Sequence, residues 1–357
     1  MNSRHYIIPI FVPHIGCPHN CVFCNQHSIT GSSEQVTCEF IIDTIEKHLL
    51  TIPKDSIKEI SFFGGTFTAI PVELQESFLC IAKEYKDRGA VNYIRLSTRP
   101  DYIDDGILTR LKCYGVDIIE LGIQSLDEEV LKKSGRGHSI EQVGYASKLI
   151  KDYGFTLGHQ IMLGLPSDNF NKDIDTTKKI ISLGPELCRI YPALVIKNTP
   201  MEDMFNRGIY VPYTLEEAVD IAKTIYLMLR EANIKVIRIG LQPTEEINEG
   251  GEIVAGPFHP AFRELVESSI FNDAIRQVVT NCEESDVEVS INPRDISKVY
   301  ACKKKIFNDM MKQLKTTKVI VKQSDIVERD TFVTKSGTES RIVSVYEYFQ
   351  KNPKEGY

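Results

Sequence analysis

The chain has 357 residues, of which 42% are hydrophobic and 25% charged, the composition of an ordinary folded domain rather than a disordered or fibrous chain. A formal net charge of −7 argues against a protein that grips polyanions over its whole surface, and no apolar run reaches membrane-spanning length. The opening Met1-Asn2-Ser3-Arg4-His5 carries no signal-peptide apolar region, so the nine cysteines are expected as reduced thiols or metal ligands in the cytoplasm, not as disulfides.

Short apolar, β-branched runs predict strands over 6–12, 57–63, 91–96, 116–122, 155–163, 187–195 and 235–240. Longer amphipathic stretches between them, such as 36–50, 71–85, 103–114, 139–153 and 215–232, predict helices. Repeated strand–helix units imply an α/β fold with a parallel sheet, either a barrel or a doubly wound sheet. The acidic, glycine-containing stretch 245–256 reads as a loop over the mouth, and 258–264 starts a helix in which His259 reads as a cap or packed residue. From about residue 287 the pattern becomes strand, helix, strand, strand, over 287–291, 294–314, 318–321 and 331–334, a small α+β appendage.

The chemistry starts after the first strand, at Gly16-Cys17-Pro18-His19-Asn20-Cys21-Val22-Phe23-Cys24. Cys17, Cys21 and Cys24 stand at C-x3-C-x2-C. A cubane 4Fe-4S cluster has four irons to ligate, so three thiolates leave one iron open. An open metal position is where a substrate or cofactor binds. The competing reading is a three-cysteine zinc site completed by His14, His19 or His27, although no second C-x2-C pair accompanies it. Later motifs follow the strands: Gly64-Gly65-Thr66, Ser97-Thr98-Arg99-Pro100-Asp101-Tyr102, Gly122-Ile123-Gln124-Ser125, Ser134-Gly135-Arg136-Gly137-His138, Gln160-Ile161-Met162-Leu163-Gly164-Leu165-Pro166 and Arg189-Ile190-Tyr191-Pro192. Strand C-termini are where barrel enzymes carry working residues.

In order and spacing these segments resemble the radical S-adenosylmethionine superfamily, and Thr98-Arg99-Pro100-Asp101-Tyr102 with Tyr191-Pro192 are similar to the catalytic-subunit family of Elongator, a tRNA-modifying complex. The resemblance implies a partial (β/α)6 TIM-like barrel over 1–260 and a C-terminal extension over 261–357. It implies a 4Fe-4S cluster on Cys17, Cys21 and Cys24 and S-adenosylmethionine, cleaved to a 5′-deoxyadenosyl radical. Phe23, Gly64, Gly65, Thr66, Ser97, Gln124, Arg136, Gln160 and Leu163 are the implied cofactor contacts. Among them Arg136 pairs with the methionine carboxylate and Gln124 with the ribose. Ser97 stands where that family usually has Glu, and Gln160 where coproporphyrinogen oxidases have Asp. Arg189, Tyr191, Lys197 and Arg238 are the implied substrate residues; a barrel-core aromatic is the other reading of Tyr191.

RNA, with tRNA foremost, is the implied substrate; a small metabolite, tetrapyrrole or peptide is the alternative, and a non-catalytic metal-binding protein the remote one. The Elongator family's acetyltransferase chemistry is not expected, because the sequence shows no glycine-rich acyl-CoA loop. A reducing donor of the flavodoxin or ferredoxin type and an anaerobic or strongly reducing cytoplasm are implied. Residues 298–322 carry eight lysines, Lys298, Lys303, Lys304, Lys305, Lys312, Lys315, Lys318 and Lys322, against Asp309 alone. They read either as a grip on tRNA phosphates or as a solvated helix face. Cys38, Cys80, Cys113, Cys188, Cys282 and Cys302 read as buried apolar residues, with an auxiliary cluster on Cys282 and Cys302 as the other reading. His159 reads as a packed, hydrogen-bonded histidine.

Overall fold

The structure is a computed structural model that describes residues 4–12, 19–25, 36–243, 248, 250–280, 286–314 and 318–352. Strand β1 (His5–Val12) is followed by α1 (Cys38–Thr51), β2 (Ile57–Gly64), α2 (Val72–Asp87), β3 (Tyr93–Thr98) and α3 (Asp105–Cys113). Next come β4 (Ile118–Gln124), α4 (Glu128–Lys133), α5 (Ile140–Asp152), β5 (Thr156–Leu163), α6 (Phe170–Leu183) and β6 (Leu187–Pro192). The unit ends with β7 (Val195–Ile196), α7 (Pro200–Asn206), α8 (Leu215–Glu231), β8 (Lys235–Ile239) and β9 (Ile253–Ala255). Helix starts are written locally: Asp104, Asp127 and Asn169 each accept a backbone N–H of the first turn, and Ser139 and Thr214 complete capping boxes.

Seven strands pair in parallel in the order β1-β2-β3-β4-β5-β6-β8 and form a curled half-barrel, as expected of a partial TIM-like fold. The seventh strand of the sheet, β8, is the one predicted over 235–240, one more than the six-unit barrel that the resemblance implies. Pro9 is tolerated because β1 is an edge and pairs only with β2. The expected strand over 187–195 stops at Pro192; Val195 and Ile196 instead pair antiparallel with β9, inside the stretch read as a loop. Residues 244–247 and 249 of that stretch lie outside the described residues.

One face of the strands carries Ile8, Ile10, Ile60, Phe62, Ile94, Leu96, Ile119 and Leu121 into the helix layer, all fully buried. Each such side chain contributes about 1.5–3 kcal/mol. The other face is polar at every second position: Glu59 and Ser61 on β2, Arg95 and Ser97 on β3, Glu120 on β4, Gln160 on β5, Arg189 and Tyr191 on β6. Cross-strand register brings Ser97 beside Glu120 and Gln160 beside Arg189.

The remainder is α9 (Phe262–Thr280), β10 (Asp286–Ile291), α10 (Ile296–Tyr300), α11 (Lys305–Gln313), β11 (Lys318–Gln323), β12 (Thr331–Ser336), β13 (Glu339–Ser344) and α12 (Val345–Lys351). Its four strands order β11-β10-β12-β13. The single helix expected over 294–314 is broken, because Cys302, Lys303 and Lys304 all take left-handed backbone angles. Apolar packing is continuous from Ile8 through α8 and α9 to Phe349. No helix among the described residues is long and apolar enough to cross a membrane.

Candidate active site

The loop after β1 lies at the C-terminal end of the sheet, tied down from distant segments. Val22 N–H donates to the Ser134 carbonyl at 3.1 Å, Met201 N–H to the Val22 carbonyl at 2.9 Å, and Asn25 Nδ2 to the Lys197 carbonyl at 2.8 Å. Cys24 N–H closes a turn onto the Cys21 carbonyl at 3.0 Å. Cys21 is buried and Cys24 half-buried, while Cys17, with His14 and His27, lies outside the described residues. Gly135 and Gly137 let the next loop close over this one. A Cβ on Gly137 (φ +74°) would fall inside the His19 ring, and one on Gly135 would lie 3.2 Å from the Asn20 carbonyl.

Two guanidiniums converge on Cys21. Arg136 Nη1 lies 3.2 Å from its Sγ and Arg99 Nη1 4.0 Å. Asp101 holds Arg99 through Nε at 2.9 Å, and Arg99 in turn donates to the Arg136 carbonyl. Arg136 also donates to the Gly122 carbonyl, yet its buried Nε finds no partner among the described residues. Gln124, at φ +66°, ends β4 beside it with a buried Oε1 that has no partner among the described residues. Burial, then Arg136 and Arg99, push the pKa of His138 down to about 3, so its ring is neutral.

On the β2 side, Gly65 N–H donates to the Val12 carbonyl at 3.2 Å. A Cβ on Gly64 (φ +102°) would meet that oxygen at 2.7 Å, so only glycine fits. Thr66, also buried, starts the short turn over Phe67–Ala69. Phe23 packs into a small cluster with Leu165 and Met201, and Leu163 is buried in the main core, its carbonyl accepting from Ala193 N–H.

Three of the four substrate candidates, Arg189, Tyr191 and Arg238, adjoin one another on β6 and β8, and Lys197 stands apart. Arg189 is buried against Glu120 and its Nη1 donates to the Tyr191 hydroxyl at 3.4 Å. Arg238 pairs in register with Arg189 and donates to Gln242 at 2.7 Å. Lys197 is exposed, bonded to the Gly251 carbonyl. What organises the barrel interior is Glu120, to which the sequence reading gave no role. Its carboxylate accepts from Arg95, from Arg189 Nε and Nη2 at 2.7 and 3.1 Å, and from Gln160 Nε2 at 2.7 Å. Gln160 also reaches Ser97 Oγ at 3.2 Å. Glu59 holds the other side of Arg95, with Nε at 2.6 Å. Burial opposes the charge on Glu120, but Arg189 and Arg95 outweigh it and hold the carboxyl below the usual range. The signal was present: charged residues at alternate positions of strands that are otherwise apolar mark an inward barrel face.

Other expectations resolve individually. His159 is fully buried, hydrogen-bonded to Ser147 at 2.9 Å and held near a pKa of about 3 by burial. His259 Nδ1 accepts from Ala261 N–H at 3.1 Å, a capping contact. Cys80, Cys113 and Cys302 are exposed rather than buried, the first two on surface helices and the third on the left-handed turn. Cys282 lies outside the described residues, and among those described no group of three His, Cys, Asp or Glu could hold a metal ion. Of the lysines, Lys298 pairs with Asp330, Lys305 with Glu216, Lys312 with Asp309 and Lys322 with Glu288. Lys315 lies outside the described residues. Lys303, Lys304 and Lys318 have no carboxylate partner among the described residues, Lys304 resting on the Tyr300 ring at 4.4 Å.

A model of the radical SAM superfamily matches residues 11–180, and one of the radical SAM C-terminal domain matches 185–272. The tRNA uridine(34) acetyltransferase of Methanocaldococcus infernus is 29% identical over 257 residues, which is 60% of this chain and 48% of that protein. Human Elongator complex protein 3 is 28% identical over 196 residues, 49% of this chain and 36% of that one. The chain thus spans about half the length or less of these curated relatives. A solved structure of archaeal Elp3 from M. infernus superposes with a TM-score of 0.61 at 23% identity, over 76% of this chain and 63% of that one, and shows the same fold. The chain belongs to the radical S-adenosylmethionine superfamily and is an enzyme of that type, with a 4Fe-4S cluster and S-adenosylmethionine as its cofactors.

Proposed function

We propose that the protein is a radical enzyme that modifies RNA, with tRNA as the substrate, in a reduced, low-oxygen cytoplasm and fed by a flavodoxin- or ferredoxin-type donor. One observation carries the chemistry: a buried arginine, Arg136, meets the Cys21 thiol at 3.2 Å across 115 positions of sequence and keeps a donor unused among the described residues. A buried guanidinium with a spare N–H suits a carboxylate, and the unpaired Gln124 Oε1 suits a hydroxyl donor. Those atoms, beside the Cys21 thiol of a C-x3-C-x2-C loop, fit a site-differentiated cluster and an amino-acid sulfonium. Cys17, Cys21 and Cys24 would hold the cluster. Arg136 would hold the methionine carboxylate, backbone at Gly64, Gly65 and Thr66 its amino group, and Gln124 and Gln160 the ribose.

The chemistry the bound cofactors supply is one-electron reductive cleavage of a C–S bond, yielding a carbon radical that removes a hydrogen atom. The chain's own part is to orient. Arg99 and Asp101 fix Arg136, Glu120 fixes Gln160, and the Ser134–Gly137 loop covers the thiols. RNA as substrate is supported by relatives that bear tRNA-modifying names over this half of their length. Anaerobically reconstituted protein with dithionite should release 5′-deoxyadenosine, and Cys21→Ala should abolish it. Binding to tRNA should weaken with salt and on replacing Lys303 and Lys304 by alanine. A protein that cleaves S-adenosylmethionine but fails to bind tRNA at low salt would lose the RNA assignment alone.

A further inference from the structure

The opposite end of the barrel carries a cavity. It has a volume of about 700 Å³ and is bounded by the first residues of the strands, among them His5, Tyr93, Thr156, Leu187 and Lys235. Arg95 and Arg189 form part of its lining, and both are neutralised by Glu59 and Glu120. Ser97, Gln160 and Tyr191, one step further along the barrel, do not line it. The ionic layer therefore separates this cavity from the cysteine end.

Its charge departs from that of the chain. The lining holds six lysines and arginines and the single acid Asp117, in a protein of net charge −7. Asp117 is already taken by Lys86 at 2.6 Å and by Ile94 N–H at 2.8 Å. Arg263 has Glu267, but Lys112, Lys235 and Arg238 have no carboxylate partner among the described residues. Lys112 Nζ donates to the Tyr153 carbonyl at 3.0 Å and lies 5.0 Å from the centre of the Phe155 ring. Like charges gathered around low-dielectric walls focus a positive potential and concentrate anions.

The two sides of the cavity differ. On the β1–β3 side Ile7 and Tyr93 remain 41% and 40% exposed, and the His5 ring lies 6.3 Å from that of Tyr93. On the β8 side stand Lys235 and Arg238, with Arg263 from α9. An aromatic wall facing a cationic one, in a cavity of ordinary ligand size, suits a ligand with a flat ring and an anionic end. We propose that this cavity is a binding site for a nucleotide, with its base against Tyr93 and its phosphates on Lys235 and Arg238. The site is independent of the radical chemistry at the other end.

The test is calorimetric titration of the full chain with ADP, and with pyrophosphate as a probe that lacks the base. ADP should bind more tightly than pyrophosphate. Lys235→Ala and Arg238→Ala should each weaken both probes, by about tenfold at low salt. Tyr93→Ala should weaken ADP and leave pyrophosphate unchanged. S-adenosylhomocysteine, which belongs at the cysteine end, should not displace ADP. Lys235 lies exposed at a strand start, so its variant should keep the parent's thermal unfolding, and Lys112→Ala provides a second reading should Arg238→Ala not fold. Absence of ADP binding at about 1 mM would overturn the proposal, as would ADP binding indifferent to all three cations or displaced by S-adenosylhomocysteine. If tRNA binding fell in the cation variants and ADP did not compete with it, the cavity would belong to RNA and the nucleotide assignment would fail.

Discussion

Removing the carboxylate of Glu120 tests the ionic layer that crosses the barrel. Its side chain is 1% exposed and accepts from four donors, on Arg95, twice on Arg189 and on Gln160. In Glu120→Ala, Arg95 keeps Glu59 as its counterion. Arg189, only 8% exposed, loses the one carboxylate that pairs with it among the described residues. Stranding a buried charge costs about 3–5 kcal/mol, so the variant should lose close to that, a large part of the 5–15 kcal/mol on the order of which domains are stable. Adding Arg189→Ala removes the stranded cation, and the double variant should recover about 2 kcal/mol relative to simple addition. Urea unfolding followed by far-UV circular dichroism measures both, since the chain has no tryptophan to report by fluorescence. The carboxyl is held below its usual range, so its stabilisation is complete above pH 4.5 and is lost as pH falls through the lower folded value. A loss under about 1 kcal/mol, or strict additivity of the two substitutions, would refute the reasoning.

Gly64→Ala places a methyl 2.7 Å from the Val12 carbonyl at φ +102°; it should cost at least about 1–2 kcal/mol in the same unfolding assay and weaken S-adenosylhomocysteine binding in a titration. Asp168 and Asp173 form a buried pair beside Tyr210 and Tyr213. Burial chiefly raises both, Asp168 to about 6 and Asp173 well above the usual carboxyl range, with repulsion from Asp168 adding to the latter. The folded state therefore holds a proton that the unfolded chain releases above pH 3.8. Stability from this pair should fall as pH rises from 3.8 through about 6, and Asp168→Asn should flatten that slope in a pH series of melting curves. Native protein should react quickly with a thiol reagent at Cys80, Cys113 and Cys302, and slowly at Cys188, whose pKa burial and then Glu120 push up to about 12. Peptide mapping of labelled protein would show the reverse order if that packing were wrong.

The barrel was legible because each strand is a dense apolar run and each motif follows one. The strand predicted over 116–122 lies at Ile118–Gln124, and Gly122 and Gln124 stand at its end beside Arg136. Elements whose pairing is purely tertiary were not legible. Strand β13 carries Glu339, Ser340 and Arg341 and leaves Ile342 75% exposed, so nothing in its own pattern announces it; it exists because β12 pairs with it. The break at Cys302–Lys304 is likewise silent, since the lysines there are ordinary helix formers. Glu120 was written in plain sight within a motif. Its partners come from β3, β5 and β6, and a single sequence does not say which charges meet.

The decisive measurement is electron paramagnetic resonance of anaerobic, dithionite-reduced protein with and without S-adenosylmethionine. The predicted result is a 4Fe-4S signal that changes on adding the sulfonium and disappears in Cys21→Ala. A signal indifferent to S-adenosylmethionine, or a stoichiometric zinc ion in place of iron, would contradict the proposal that Cys17, Cys21 and Cys24 hold a cluster with one iron left for the sulfonium.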